Sequence, residues 1–205
     1  MKNILITQKI KKNKFGEIEW LLENNWYDYS KKNKINLITA DPNLKNFDKK
    51  IHGVIFSGGN DLYLNKPTII NQIRDKLEKK IIKIALQRKI PILGVCRGFQ
   101  FIASVFNCKS TKPKFKTHVK KIHNLKVKKK IFNLNLYKLS VNSFHDFIIN
   151  KLPNFFDLIV KHEDGSIELA YSKKYKILNF MFHPERYNPS QKKIDKIFFK
   201  HFKIK

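Results

Sequence analysis

The chain has 205 residues and carries 43 basic against 16 acidic side chains, a formal net charge of +27. That length buries a full core without covalent staples, which excludes knottin-like and zinc-finger-like folds. A charge of this sign ordinarily suggests nucleic acid or an anionic surface, but only four of the basic residues are Arg. Specific readers of bases and phosphates favour the guanidinium fork, so the composition argues for a general positive field, and a nucleic-acid partner is not expected. Two cysteines without CxxC spacing fit a reducing compartment, and no window reaches the roughly 18 apolar residues of a membrane span. A cytoplasmic protein with no membrane partner is expected.

Taken in chain order, short runs rich in Ile, Leu and Val alternate with helical patterns. The runs Ile4 to Thr7, Ile35 to Thr39, His52 to Phe56 and Ile90 to Val95 read as strands. Between them, Ile18, Leu21, Leu22 and Trp26 fall on one face of a first helix. Ile69, Ile70, Ile73, Leu77, Ile81, Ile84 and Ala85 mark a longer one that Pro67 can start. After Phe106 the pattern turns toward strands, around 119–127, 136–141, 156–162, 167–172 and 177–182, and a helix over 191–202 closes the chain. The polybasic stretch from Lys109 to Lys130 reads as a surface excursion. No linker or repeat divides residues 1–205, so one α/β domain is expected: a central, mostly parallel sheet flanked by helices.

The segment Gly94-Val95-Cys96-Arg97-Gly98-Phe99-Gln100 carries the most chemistry, because it takes a buried strand straight into a helix with a cysteine at the junction. Small residues on either side permit the sharp turn of a nucleophile elbow, and a helix N-terminus favours the thiolate. Upstream lies Ser57-Gly58-Gly59-Asn60-Asp61-Leu62, and downstream Phe182-His183-Pro184-Glu185-Arg186 follows an apolar strand whose carboxyl end faces the usual site of open α/β sheets. His183 can serve as base, with Glu185 orienting its ring.

These three motifs, in this order, resemble the class I glutamine amidotransferase-like family. The CRG form, the GGND loop and Asn142-Ser143-Phe144-His145 look more like its γ-glutamyl hydrolase branch. The resemblance implies a flavodoxin-like fold and a Cys96–His183–Glu185 triad acting through a glutamyl thioester. It also implies backbone amides of Gly59 and Arg97 as the oxyanion hole. Gly58, Asn60, Gln100, Asn142, Ser143, Phe144 and His145 match positions that hold the glutamyl group. Through the combination SGGNDL, CRGxQ, NSFH and HxER, the resemblance further implies nucleotide-linked γ-glutamyl amides of the kind used in capsule or surface-polysaccharide synthesis. A glutaminase that passes ammonia to a separate synthetase is the nearest alternative, and a decayed scaffold binding nucleic acid a more distant one.

No cofactor is implied. His118 and His123, five apart, have no cysteine or carboxylate pair near them in the sequence, which argues against a metal site. Cys108 lacks flanking glycines and reads as structural. Between Glu78 and Asp146 there is no acidic residue but there are seventeen Lys or Arg. If this block borders the cleft, an anionic small-molecule substrate is favoured there.

Overall fold

The computed structural model describes residues 1–48, 50–115, 117–134 and 136–204. In chain order the elements are β1 (Asn3–Ile6), β2 (Lys9–Lys12), β3 (Ile18–Leu21), α1 (Asn24–Lys32), β4 (Asn36–Thr39), β5 (Gly53–Phe56), α2 (Ile69–Gln87), β6 (Ile92–Val95), α3 (Arg97–Val105), β7 (Val119–Lys126), β8 (Lys138–Phe144), β9 (Asp157–Lys161), β10 (Ile167–Ser172), β11 (Ile177–Phe180) and α4 (Gln191–Phe202). Seven strands form one sheet in the order β4-β1-β5-β6-β11-β10-β9. The first five run parallel, and β10 pairs antiparallel with both β11 and β9.

Strands β5, β6 and β11 are buried along their whole length, as parallel strands covered on both faces must be. One face packs against α1 and α4 through Trp26, Tyr29, Phe198 and Phe202. The other packs against α2 and α3 through Leu77, Ile81, Phe101 and Ile102. The chain moves outward from β1 to β4 and then returns to the far side of β1 as β5, so the direction of winding reverses there. Such a reversal opens a crevice at the carboxyl ends of the strands. Ser57-Gly58-Gly59, Cys96 and His183 leave the carboxyl ends of the adjacent strands β5, β6 and β11, and are brought together at that edge.

Three expectations need correction. Ile18 and Leu21 lie not on a helix but on β3, which pairs with β2 in a hairpin, and the first helix begins only at Asn24. The turn explains it. Asn13 Oδ1 accepts the amide hydrogens of Phe15 and Glu17 at 2.9 and 3.0 Å, and Gly16 takes φ +87°. Helix α2 starts at Ile69 rather than at Pro67, because the Thr68 hydroxyl caps it by accepting from the Asn71 amide at 3.2 Å. The polybasic stretch is also only half an excursion: its second part is β7, which pairs with β8 in a separate two-stranded sheet and buries His123 and Leu125, with His118 buried just before it. Among the described residues, no helix is long and apolar enough to cross a membrane.

Candidate active site

Cys96 stands between β6 and α3 with φ 52° and ψ −108°, a conformation that side-chain-bearing residues rarely hold and that costs about 1–3 kcal/mol. The surrounding backbone enforces it. A Cβ added at Gly98 would lie 1.9 Å from the Phe56 carbonyl oxygen, and one at Gly94 2.5 Å from Asn179 Oδ1, so the elbow closes only with glycine at both positions. The Cys96 amide donates to the Phe180 carbonyl of β11 at 2.8 Å, and the Cys96 carbonyl accepts the first α3 bond from Gln100 at 3.1 Å. The sulfur is thereby aimed into a cleft of about 150 Å³ between the GG loop and the end of β8.

His183 shares that cleft, and its Nδ1 meets Glu185 Oε1 at 2.6 Å in buried surroundings. Burial opposes its charge, but the Glu185 carboxylate and the Cys96 sulfur outweigh burial and lift the imidazole to about 10. Burial likewise pushes the Cys96 thiol up, yet the His183 charge, a hydrogen bond with His183, the His145 charge and the Arg97 amide hold it below its ordinary value. Together these shifts describe a thiolate–imidazolium pair. Gly58 lies against the ring rather than in the cleft: a Cβ there would come within 2.7 Å of His183 Cε1.

The other residues singled out in the sequence separate into two groups. Gly59, Asn60, Arg97, Gln100, Phe144 and His145 line the cleft with Cys96 and His183. Asn142 and Ser143 do not line it, and their side chains are engaged elsewhere. Asn142 donates to the carbonyls of His183 and Tyr187 at 2.8 and 3.0 Å and accepts the His183 amide hydrogen at 2.9 Å, which clamps the His-Pro-Glu turn. Ser143 donates to the His118 carbonyl at 2.7 Å. Asn60, although at the rim, pins β2 by bonding both the amide and the carbonyl of Ile10. Cys108 lies beyond α3, where burial pushes its thiol up.

A network that the sequence did not announce holds the loops around the nucleophile. Arg74 on α2 is fully buried and donates to the carbonyls of Ser57, Gly58 and Gly59, and to Glu78 Oε1 at 3.0 Å. Glu78 also accepts from Thr7 Oγ1 at 2.7 Å and from Arg97, whose other nitrogen reaches Asp75. With its carbonyls drawn toward Arg74, the GG loop is fixed in one orientation. One carboxylate thus couples that loop to the residue after the nucleophile. Glu78→Gln should destabilise the fold by about 3–5 kcal/mol, because it leaves the buried Arg74 without a carboxylate partner and Arg97 with Asp75 alone. Urea midpoints measure this, and a loss below about 1 kcal/mol would mean that the backbone carbonyls alone satisfy both arginines.

Beside the cleft lies a larger cavity of about 640 Å³, lined in part by Lys66, Lys112, Lys114, Phe115 and Phe147. Part of the basic block therefore does border the site. Arg186, at the cleft rim, stacks over Phe144 at 4.8 Å and pairs with Glu23 at 2.9 Å. His118 and His123 also have company that their spacing conceals, since Glu168 of β10 and Asp164 of the turn before it fold against them.

Residues 35–185 match the peptidase C26 family. The chain is 40% identical over 139 residues to a γ-glutamyl-CDP-amidate hydrolase of Campylobacter jejuni, a match spanning 67% of this chain and 64% of that protein, just short of two thirds of its length. It is 27% identical over 201 residues to a putative glutamine amidotransferase-like protein of Rickettsia prowazekii, covering 67% and 72% of the two chains. In structure it is similar to a glutamine amidotransferase from Thermotoga maritima, with TM-score 0.69, 19% identity and coverage of 100% of this chain and 86% of that one. That likeness establishes a fold shared with class I glutamine amidotransferases.

Proposed function

Because the chain belongs to the peptidase C26 family, we propose that it hydrolyses γ-glutamyl amides through a Cys96–His183–Glu185 triad. The observation that carries this reading is the buried Glu185–His183 contact of 2.6 Å facing a cysteine held in an elbow between β6 and α3. Cys96 thiolate attacks the γ-carbonyl carbon, and the negative oxygen that forms is met by the amides of Gly59 and Arg97. Donors of this kind are each worth about 3–4 kcal/mol in the transition state. His183 Nε2 gives its proton to the departing amine nitrogen as the C–N bond breaks. His183 then takes a proton from water, whose oxygen attacks the thioester, and glutamate leaves as the thiolate is restored. No cofactor enters these steps.

The cleft of about 150 Å³ suits a glutamyl group, and the cavity next to it, where Lys66, Lys112 and Lys114 outnumber Asp61 and Asp146, suits a departing amine that carries phosphate. Phe115 and Phe147 offer faces for a base. We therefore assign the natural substrate as an anionic, nucleotide-linked γ-glutamyl amide, the class named in the Campylobacter relative. Mass spectrometry of the products from a panel of γ-glutamyl compounds tests this. The nucleotide-linked compound should have the highest kcat/KM, and its advantage should shrink as salt screens the lysines over about 8–10 Å. Equal kcat/KM for that compound and free glutamine at low salt would favour a general γ-glutamyl hydrolase instead.

A further inference from the structure

Behind the cleft, outside the triad, four histidines and two carboxylates come together from three segments. His118 and His123 belong to the β7 arm, His145 follows β8, and His162, Asp164 and Glu168 belong to the β9–β10 hairpin. Their hydrogen bonds are lopsided in a consistent way. His118 uses Nε2 to bond Asp164 Oδ2 at 2.7 Å, and His123 uses Nε2 to bond the Thr117 carbonyl at 3.0 Å. Bonds to a carboxylate and a carbonyl place the ring hydrogens on those nitrogens and leave a lone pair on each Nδ1. Neither Nδ1 makes a hydrogen bond, and Glu168, wholly buried like His118, has among the described residues only the His145 Nε2 at 3.5 Å as a further neighbour, an imidazole whose charge the carboxylate favours. These orphaned atoms face one another: Glu168 Oε1 is 3.7 Å from His118 Nδ1 and 3.8 Å from His123 Nδ1.

Unpaired polar atoms of this kind, buried together in one place, would be costly for a fold to carry without purpose. Lone pairs on two imidazoles converging on a carboxylate are instead the donor set of a divalent transition metal. The outward bonds of the same rings match the outer partners that orient metal-ligating histidines. The three donors lie within 4.8 Å of one another, and a tetrahedral zinc ion with bonds of about 2.0–2.1 Å needs them at roughly 3.3 Å, a distance that small ring rotations reach. Hard cations such as Mg²⁺ prefer all-oxygen shells and fit poorly.

We propose that His118 Nδ1, His123 Nδ1 and Glu168 form a binding site for a d-block divalent cation of the zinc type, which ties the β7–β8 hairpin to the main sheet. This site is independent of the hydrolytic reading. Its placement nevertheless gives it a bearing on the cleft. His145, which lines the cleft beside Cys96, approaches the same Glu168 Oε1 at 3.5 Å from the other side. A cation on Glu168 would therefore fix both the arm that carries Phe144 and the carboxylate that His145 faces.

The full chain, stripped with chelator, is titrated with Zn²⁺ and with Mg²⁺, and retained metal is counted by mass spectrometry after gel filtration. One zinc per chain is expected, with no retention of magnesium. Cys96→Ala should keep the zinc, which distinguishes this site from a thiolate at the reaction centre. His123→Ala should lose it, and Asp164→Asn, at a partly exposed position, should weaken it by about 10–100-fold. With Co²⁺ in place of Zn²⁺, the visible absorption of a tetrahedral ion should appear in the unaltered chain, whatever the folding of the variants. Zinc should also slow hydrogen exchange along β7. The absence of stoichiometric zinc and of the cobalt absorption would overturn the proposal, as would zinc kept in His123→Ala but lost from Cys96→Ala.

Discussion

Cys96→Ala is expected to lower kcat/KM by at least about 10⁴-fold while the protein remains folded. The thiolate forms the covalent bond that the rest of the machinery only assists, and removing a nucleophile leaves no more than the residual catalysis of binding and the oxyanion hole. Cys108→Ala is the control and should retain most activity, since that thiol lies away from the cleft with burial pushing it up. An electrophilic glutamine analogue should add one mass increment to the native chain and none to Cys96→Ala. Comparable losses in the two folded variants would remove Cys96 as the unique nucleophile. The elbow adds a second, independent expectation. At φ 52°, ψ −108°, Ala is as strained as Cys, whereas Gly is not, so Cys96→Gly should be more stable than Cys96→Ala by about 1 kcal/mol although both are inactive. Stability at this position is then given up for the aim of the sulfur.

The elbow, the GG loop and the His-Pro-Glu turn were legible because each needs particular residues at fixed spacing next to a strand end. The parallel strands were legible for a similar reason: two covered faces demand unbroken Ile, Leu and Val. The β2–β3 hairpin was not, because Lys9-Ile10-Lys11-Lys12 buries only Ile10 and its register depends on Asn13 and Asn60, which are contacts no local pattern shows. Nothing in the local pattern of α2 sets Arg74 and Glu78 apart, and only the fold reveals that both are wholly buried. A usable signal was nevertheless present. In a chain with 43 basic residues and four arginines, an Arg marks a place that Lys cannot fill. Arg74 and Arg97 share Glu78, and Arg186 stacks over Phe144, so three of the four stand at this site. The histidine cluster stayed hidden for a topological reason: its carboxylates come from the β9–β10 hairpin, far along the chain from β7.

His183→Ala should cost about 10²–10⁴ in kcat/KM for amide substrates, the range for proton transfer to a leaving group, and more than Glu185→Gln. The two variants should also differ in kind. Without His183 the Cys96 thiol loses the charge and the hydrogen bond that hold it down, so burial prevails and the acid limb of the pH profile moves to higher pH. In Glu185→Gln the amide can still accept from Nδ1, which preserves part of the orientation, but the largest influence raising His183 is gone. Its alkaline limb, set near pH 10 in the native chain, should therefore move to lower pH. Stability should follow the same sign. A histidine raised from 6.5 to about 10 stabilises the fold fully below pH 6.5, and that contribution fades as pH rises through the folded value; Glu185→Gln should lose the difference chiefly at neutral pH and below. An alkaline limb that stays in place in Glu185→Gln would show that the carboxylate does not raise the imidazole. A His183→Ala enzyme of native kcat/KM on an amide substrate would remove the triad itself.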